Sequence, residues 1–181
     1  MNGVLLISEK YIKENSNIND NVFGSWLLPS IREAQEMYLE PVLGNCLYNK
    51  ILYLVSENLI NEPENYDYKV LLDDFIQPFL LYQVLCNIIP ILNVKLANLG
   101  SVTTNDEHTT NLTQGESDLI KNYYQERSDF YIGKMQKYLK DNLSLYPEIE
   151  ECGCGEGANL ESSTNSVGLW LGGFRGRKLL K

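Results

Sequence analysis

Histidine is almost missing from this sequence, with His108 the single example in 181 residues, so a His-rich metal site is excluded. Cysteine is scarce as well: Cys46 and Cys86 stand alone and Cys152 and Cys154 share one Cys-Gly-Cys step, which rules out a dense disulfide scaffold. Basic side chains are the minority charge. Fifteen lysines and arginines face 24 acids, and a net charge of -9 opposes any reading in which the whole surface grips nucleic acid or anionic lipid. The chain also has no Gly-x-Ser-x-Gly elbow, no phosphate-binding Gly-x-x-x-x-Gly-Lys-Ser/Thr loop and no His-Glu-x-x-His pair. Met1 to Lys10 offers an apolar patch of only four residues and no cationic lead, so it fails as a signal peptide and an intracellular protein is expected.

What is present suits one helical domain with a tail. Apolar residues make up 44% of the chain, enough for one core. Residues 145 to 161 carry five glutamates and no base, whereas residues 168 to 181 carry Arg175, Arg177, Lys178 and Lys181 and no acid. Seven of the 13 glycines fall after residue 152, so this end reads as a segment that does not fold by itself. The boundaries are set at 1–147 for a helical body and 148–181 for an extended Gly-rich C-terminal arm.

Within the body, Ser8 is placed to cap a helix over 9–14, followed by an Asn-rich turn. Phe23, Trp26, Leu27, Ile31, Ala34, Met37 and Tyr38 recur at spacings of three and four, predicting a helix that Pro41 ends. Val42, Leu43, Leu47, Ile51, Leu54 and Val55 continue the pattern in the next helix, and residues 58–66 read as a loop. Tyr68 to Leu99 is the most apolar stretch, uncharged between Asp74 and Lys95. Its length would span a bilayer, yet Gln77, Gln83, Asn87 and Asn93 are expensive in lipid, and a long central helix kinked near Pro78 or Pro90 is the preferred reading. Residues 100–111 predict an extended loop or small hairpin. Thr113 and Glu116 then form a capping-box pattern ahead of a helix to about Asn142, with Ile120, Tyr124, Tyr131, Met135 and Tyr138 on one stripe. The expected fold is all-α: a bundle of three to four main helices with a long central helix, a loop or small hairpin between the last two, and an extended C-terminal tail.

The chemistry-bearing residues do not converge on a catalytic pattern. His108 sits in a polar loop beside Asp106 and Glu107, and reads as an exposed loop histidine. Cys152 and Cys154 fall short of the four thiolates a soft-metal site needs, Cys46 and Cys86 read as small core residues, and the surrounding glutamates raise rather than lower thiol pKa. Asp73-Asp74 and Glu150-Glu151 are adjacent pairs that point in different directions on a helix. No enzyme, cofactor or metal is expected. The tail is more informative: Leu169, Trp170, Leu171 and Phe174 followed by Arg175, Arg177 and Lys178 combine the residue types that anchor protein interfaces. Protein docking is favoured there over nucleic-acid contact, a membrane-surface anchor or an inert end, since a cationic end on an acidic chain seeks an acidic or mixed groove.

Tyr38-Leu39-Glu40-Pro41-Val42-Leu43-Gly44-Asn45-Cys46-Leu47-Tyr48, a turn between two helices with Leu-Gly and Leu-Tyr, resembles the signature of head-to-tail connector (adaptor) proteins of tailed bacteriophages. The ring-forming adaptors of crAss-like phages are the most similar in this respect. The Gly100-Ser101-Val102-Thr103-Thr104 loop with Glu107-His108-Thr109, and the Tyr146-Pro147-Glu148 helix end, agree with it, so the resemblance covers about residues 5–150. It implies a structural virion protein that assembles in the host cytoplasm as a homo-dodecameric ring under the portal protein at the neck. Such a ring extends the channel for double-stranded DNA and provides a platform for a downstream tail or ring protein, without a membrane. By position, Leu169 to Lys181 would be the arm that reaches the portal. An acidic body fits a conduit, because acidic walls repel phosphate where a basic lining would hold it. The alternative reading is a monomeric module that binds a protein or a DNA end through the Trp170 to Lys178 segment.

Overall fold

A computed structural model describes residues 3–17, 24–92, 94–97, 100–103 and 113–151. It is an all-α bundle with one small hairpin. The helices are α1 (Glu9–Glu14), α2 (Gly24–Glu33), α3 (Glu40–Leu43), α4 (Asn45–Ser56), α5 (Tyr66–Leu71), α6 (Gln77–Leu92), α7 (Gln114–Asp141) and α8 (Glu148–Glu151). Two wide π turns, Ala34–Leu39 and Leu72–Ile76, weld α2 to α3 and α5 to α6, and two 3₁₀ turns occupy Leu59–Asn61 and Pro63–Asn65 in the expected loop. Strands β1 (Val94–Ala97) and β2 (Gly100–Thr103) pair antiparallel, Val94 opposite Thr103.

Helix ends follow local chemistry. The Ser8 hydroxyl accepts from the Tyr11 amide and starts α1. Thr113 and Glu116 form the reciprocal capping box of α7: the Thr113 hydroxyl accepts from the Glu116 amide while the Glu116 carboxylate accepts from the Thr113 amide. Burial is heaviest in α6, where Leu80, Val84 and Ile88 are fully enclosed. On one side of that helix Tyr82, Gln83 and Cys86 meet α7 through Tyr124, Tyr131, Ser128 and Gln125. Leu81, Val84, Leu85 and Ile88 lie on the other side of the helix and are buried too, and α2 and the first π turn also pack on α6. The core thus has α6 in its middle layer, and no described helix is long and apolar enough to cross a membrane.

Three boundaries differ from the sequence expectation. Pro41 does not end the second helix; the helical run passes through it to Leu43 and breaks at Gly44, whose φ of 74° is the left-handed region that suits glycine. The reason is the π turn just before it. A proline ring clashes with the carbonyl four residues back, and here the residue preceding the proline bonds five back instead, Glu40 N–H to the Gln35 carbonyl. Pro78 repeats the device, with Gln77 N–H donating to the Leu72 carbonyl, so the expected kink is absorbed as a wide turn. The apolar run also stops being helical at Leu92 rather than Leu99, after Pro90 has withheld an N–H from the last turn, and the hairpin begins at Val94 rather than after residue 100. At the other end, α8 packs on α4 and Glu148 accepts from the Tyr68 hydroxyl at 2.8 Å, so residues 148 to 151 continue the helical path of the body.

Candidate interaction surfaces

The tail residues nominated from the sequence, Leu169, Trp170, Leu171, Phe174, Arg175, Arg177 and Lys178, lie outside the described residues, as do His108, Cys152 and Cys154. Asp73 and Asp74 are exposed, as their adjacency implied. Cys86 is a buried free thiol, in keeping with a core role; burial pushes its pKa up, with Lys121 opposing, so it makes a poor nucleophile. Cys46, expected as a small core residue, is instead half-buried and disulfide-bonded.

One cleft is well shaped. Gln35, on the first π turn, is buried and clamps the N-terminal segment: it accepts from the Leu6 amide at 2.8 Å and donates to the Val4 carbonyl at 3.2 Å and to the Tyr48 hydroxyl at 3.5 Å. Gln77 holds the same segment from α6, donating to the Leu6 carbonyl at 3.3 Å. Beside this clamp lies an open cleft of about 570 Å³ lined by Val4, Arg32, Glu36, Tyr48, Leu52 and Ser56. Its groups are one guanidinium, one carboxylate and one phenol whose pKa burial raises, with Gln35 opposing. No base is aimed at a nucleophile in that set, and no group of three or more His, Cys, Asp or Glu able to hold a metal occurs among the described residues.

The outer surface carries more. Along α7 the aromatic residues come in adjacent pairs that face different ways, Tyr123 beside Tyr124 and Phe130 beside Tyr131. Tyr124 and Tyr131 turn inward onto Tyr82, with Met135 and Tyr138 continuing the stripe. Leu119, Tyr123 and Phe130 form a second stripe that faces outward, with Leu119 70% and Phe130 66% exposed, and the Arg127 guanidinium lies 3.3 Å from the centre of the Tyr123 ring. A second apolar site lies on the first π turn, where Met37 is 62% exposed and Tyr38 stands next to it. Met37 and Tyr38 belong to the apolar three-and-four repeat of the second helix, but the wide turn rotates them out, while Leu39 takes the core position.

The chain belongs to the family described as Family of unknown function (DUF6712), which matches residues 39–159. The match begins one residue into the Tyr38 to Tyr48 turn and ends before Leu169. No curated protein and no solved structure matches the chain.

Proposed function

We propose that this protein is a structural head-to-tail adaptor of a tailed-phage virion, a ring under the portal that extends the DNA channel and presents a platform to tail components. The observation that carries the reading is the second apolar stripe of α7. A helix inside one folded body needs one apolar face; α7 has that face on α6 and a further row of Leu119, Tyr123 and Phe130 in solvent. Together with Met37 and Tyr38, this row offers outward apolar surface that contact between subunits would cover. The resemblance of the Tyr38 to Tyr48 turn to phage adaptors supplies the setting: portal above, tail protein below, double-stranded DNA passing through, and no reaction catalysed. The virion neck is the corresponding location, and about twelve copies the corresponding count.

The test is the native mass of the full-length protein, alone and mixed with the portal protein of the same genome. A ring, free or on the portal, supports the proposal; a strict monomer that ignores the portal overturns it. The tail composition favours one rival, a monomeric module that docks through Trp170 to Lys178. Truncation after Asn159 separates the two, since an adaptor keeps its helical fold and its self-association while losing the arm's contact, whereas a module loses all binding.

A further inference from the structure

We propose that Cys46, Cys152 and Cys154 form a thiol–disulfide exchange site that ties the start of the C-terminal arm to α4 and releases it when the bond moves. The pairing follows by elimination. Cys46 is disulfide-bonded, Cys86 is a free thiol, and the remaining cysteines of the chain are Cys152 and Cys154, which lie outside the described residues. One of those two is the partner of Cys46, and the other is left as a thiol with only Gly153 between them. The inference is independent of the adaptor reading.

Packing among the described residues points to the same pairing. Cys46 is the second residue of α4, and Lys50, one turn further on the same face, holds its ammonium 5.8 Å from the centre of the Tyr68 ring. The Tyr68 hydroxyl donates to Glu148 at the start of α8, and α8 packs on α4. Cys152 follows directly on Glu151, the last residue of α8. The face of α4 that carries Cys46 thus meets the element that leads into the Cys-Gly-Cys step.

Three sulfurs in one place hold one disulfide and one thiol. In the exchange the spare thiol gives its proton to solvent and its sulfur attacks the neighbouring cysteine sulfur. A Cys152–Cys154 bond forms, the bond to Cys46 breaks, and Cys46 leaves as a thiolate that takes up a proton. One disulfide and one thiol stand on each side, so no oxidant or reductant is consumed. The leaving charge belongs on Cys46 for two reasons. Cys46 lies in the first turn of a 12-residue helix, whose free N–H groups stabilise a negative sulfur. Glu148, Glu150, Glu151 and Glu156 flank the Cys-Gly-Cys step in the sequence and disfavour negative charge there.

The full-length chain, purified without reductant, is incubated with reduced glutathione in the absence of oxygen, quenched with N-ethylmaleimide and mapped by mass spectrometry. Before glutathione, the map is expected to join Cys46 to Cys152 or Cys154. Glutathione then starts the exchange: in the parent a Cys152–Cys154 bond appears, Cys46 takes the label, and no glutathione is retained. Cys152→Ser and Cys154→Ser each keep one bond to Cys46 and lack the spare thiol, so the released Cys46 recloses the bond. Both variants are expected to open roughly 10-fold more slowly than the parent and to end as glutathione adducts or separate thiols. A Cys46 that is a thiol, or is joined to a second chain, before glutathione is added overturns the proposal. So does a parent that forms no Cys152–Cys154 bond or opens no faster than the two serine variants.

Discussion

Tyr146 closes the end of the body, and removing its hydroxyl tests whether that end is sealed. The residue is fully buried, its ring meets Tyr68 and Tyr138 edge-on, and its hydroxyl donates to the Asp67 carbonyl at 3.0 Å with the Tyr138 hydroxyl at 3.2 Å. In Tyr146→Phe the ring stays but the part-buried Asp67 carbonyl loses this donor. A net hydrogen bond is worth about 1 kcal/mol and a stranded buried partner costs about 1–3 kcal/mol, so the loss should fall at about 1–3 kcal/mol. For a chain of this length each kcal/mol moves the midpoint by about 2–4 °C, which places the expected fall in Tm at about 2–12 °C by calorimetry. Tyr146→Ala removes the ring as well and should cost about 3–5 kcal/mol. A Tyr146→Phe midpoint within about 1 °C of the parent would refute the reasoning, because the hydroxyl would then exchange its protein partners for water at no cost.

Other consequences can be checked on the same protein. Burial raises the phenol pKa values of Tyr11, Tyr48, Tyr124 and Tyr146 above the ordinary value near 10. Their contribution to stability is therefore whole below that value and drains away as pH climbs beyond it, so helical circular dichroism and tyrosinate absorbance should change together in alkali. Twelve tyrosines that ionise near 10 with the helices intact would contradict this. Thr113→Ala should cost about 1 kcal/mol by loss of the α7 cap, and should let the Glu116 carboxyl, held below its ordinary value by the Thr113 amide and hydroxyl, rise part of the way in an NMR titration, since the amide is retained. Under native, non-reducing conditions an alkylating reagent should leave Cys46 unlabelled because it is disulfide-bonded, and should reach Cys86 only after unfolding; rapid native labelling of either residue counts against the arrangement.

Signals carried by neighbouring residues were legible in the sequence. Ser8 before α1 and the Thr113-Glu116 pair before α7 are local hydrogen-bonding patterns, and both caps form as their spacing predicts. The failures come where the period itself changes. A proline inside an apolar repeat reads as a stop, but a wide turn ahead of Pro41 and of Pro78 makes room for the ring and carries the helix onward. That same change of period turned Met37 and Tyr38 of the apolar repeat out to the surface. The clamp made by Gln35 and Gln77 on Leu6 was illegible for another reason: its partners are 29 and 71 residues apart in the chain, and no local pattern marks them.

The outward face of α7 shows why an interaction surface is harder to read than a core. Counting spacings finds Tyr124, Tyr131, Met135 and Tyr138, and having found one stripe, assigns it to the core and the rest to solvent. Tyr123 and Phe130, each beside a member of that stripe, then look like ordinary exposed aromatics. The fold gives them significance, because α6 already satisfies the inner stripe while Phe130 stays 66% exposed and Tyr123 is met by the Arg127 guanidinium of its own helix.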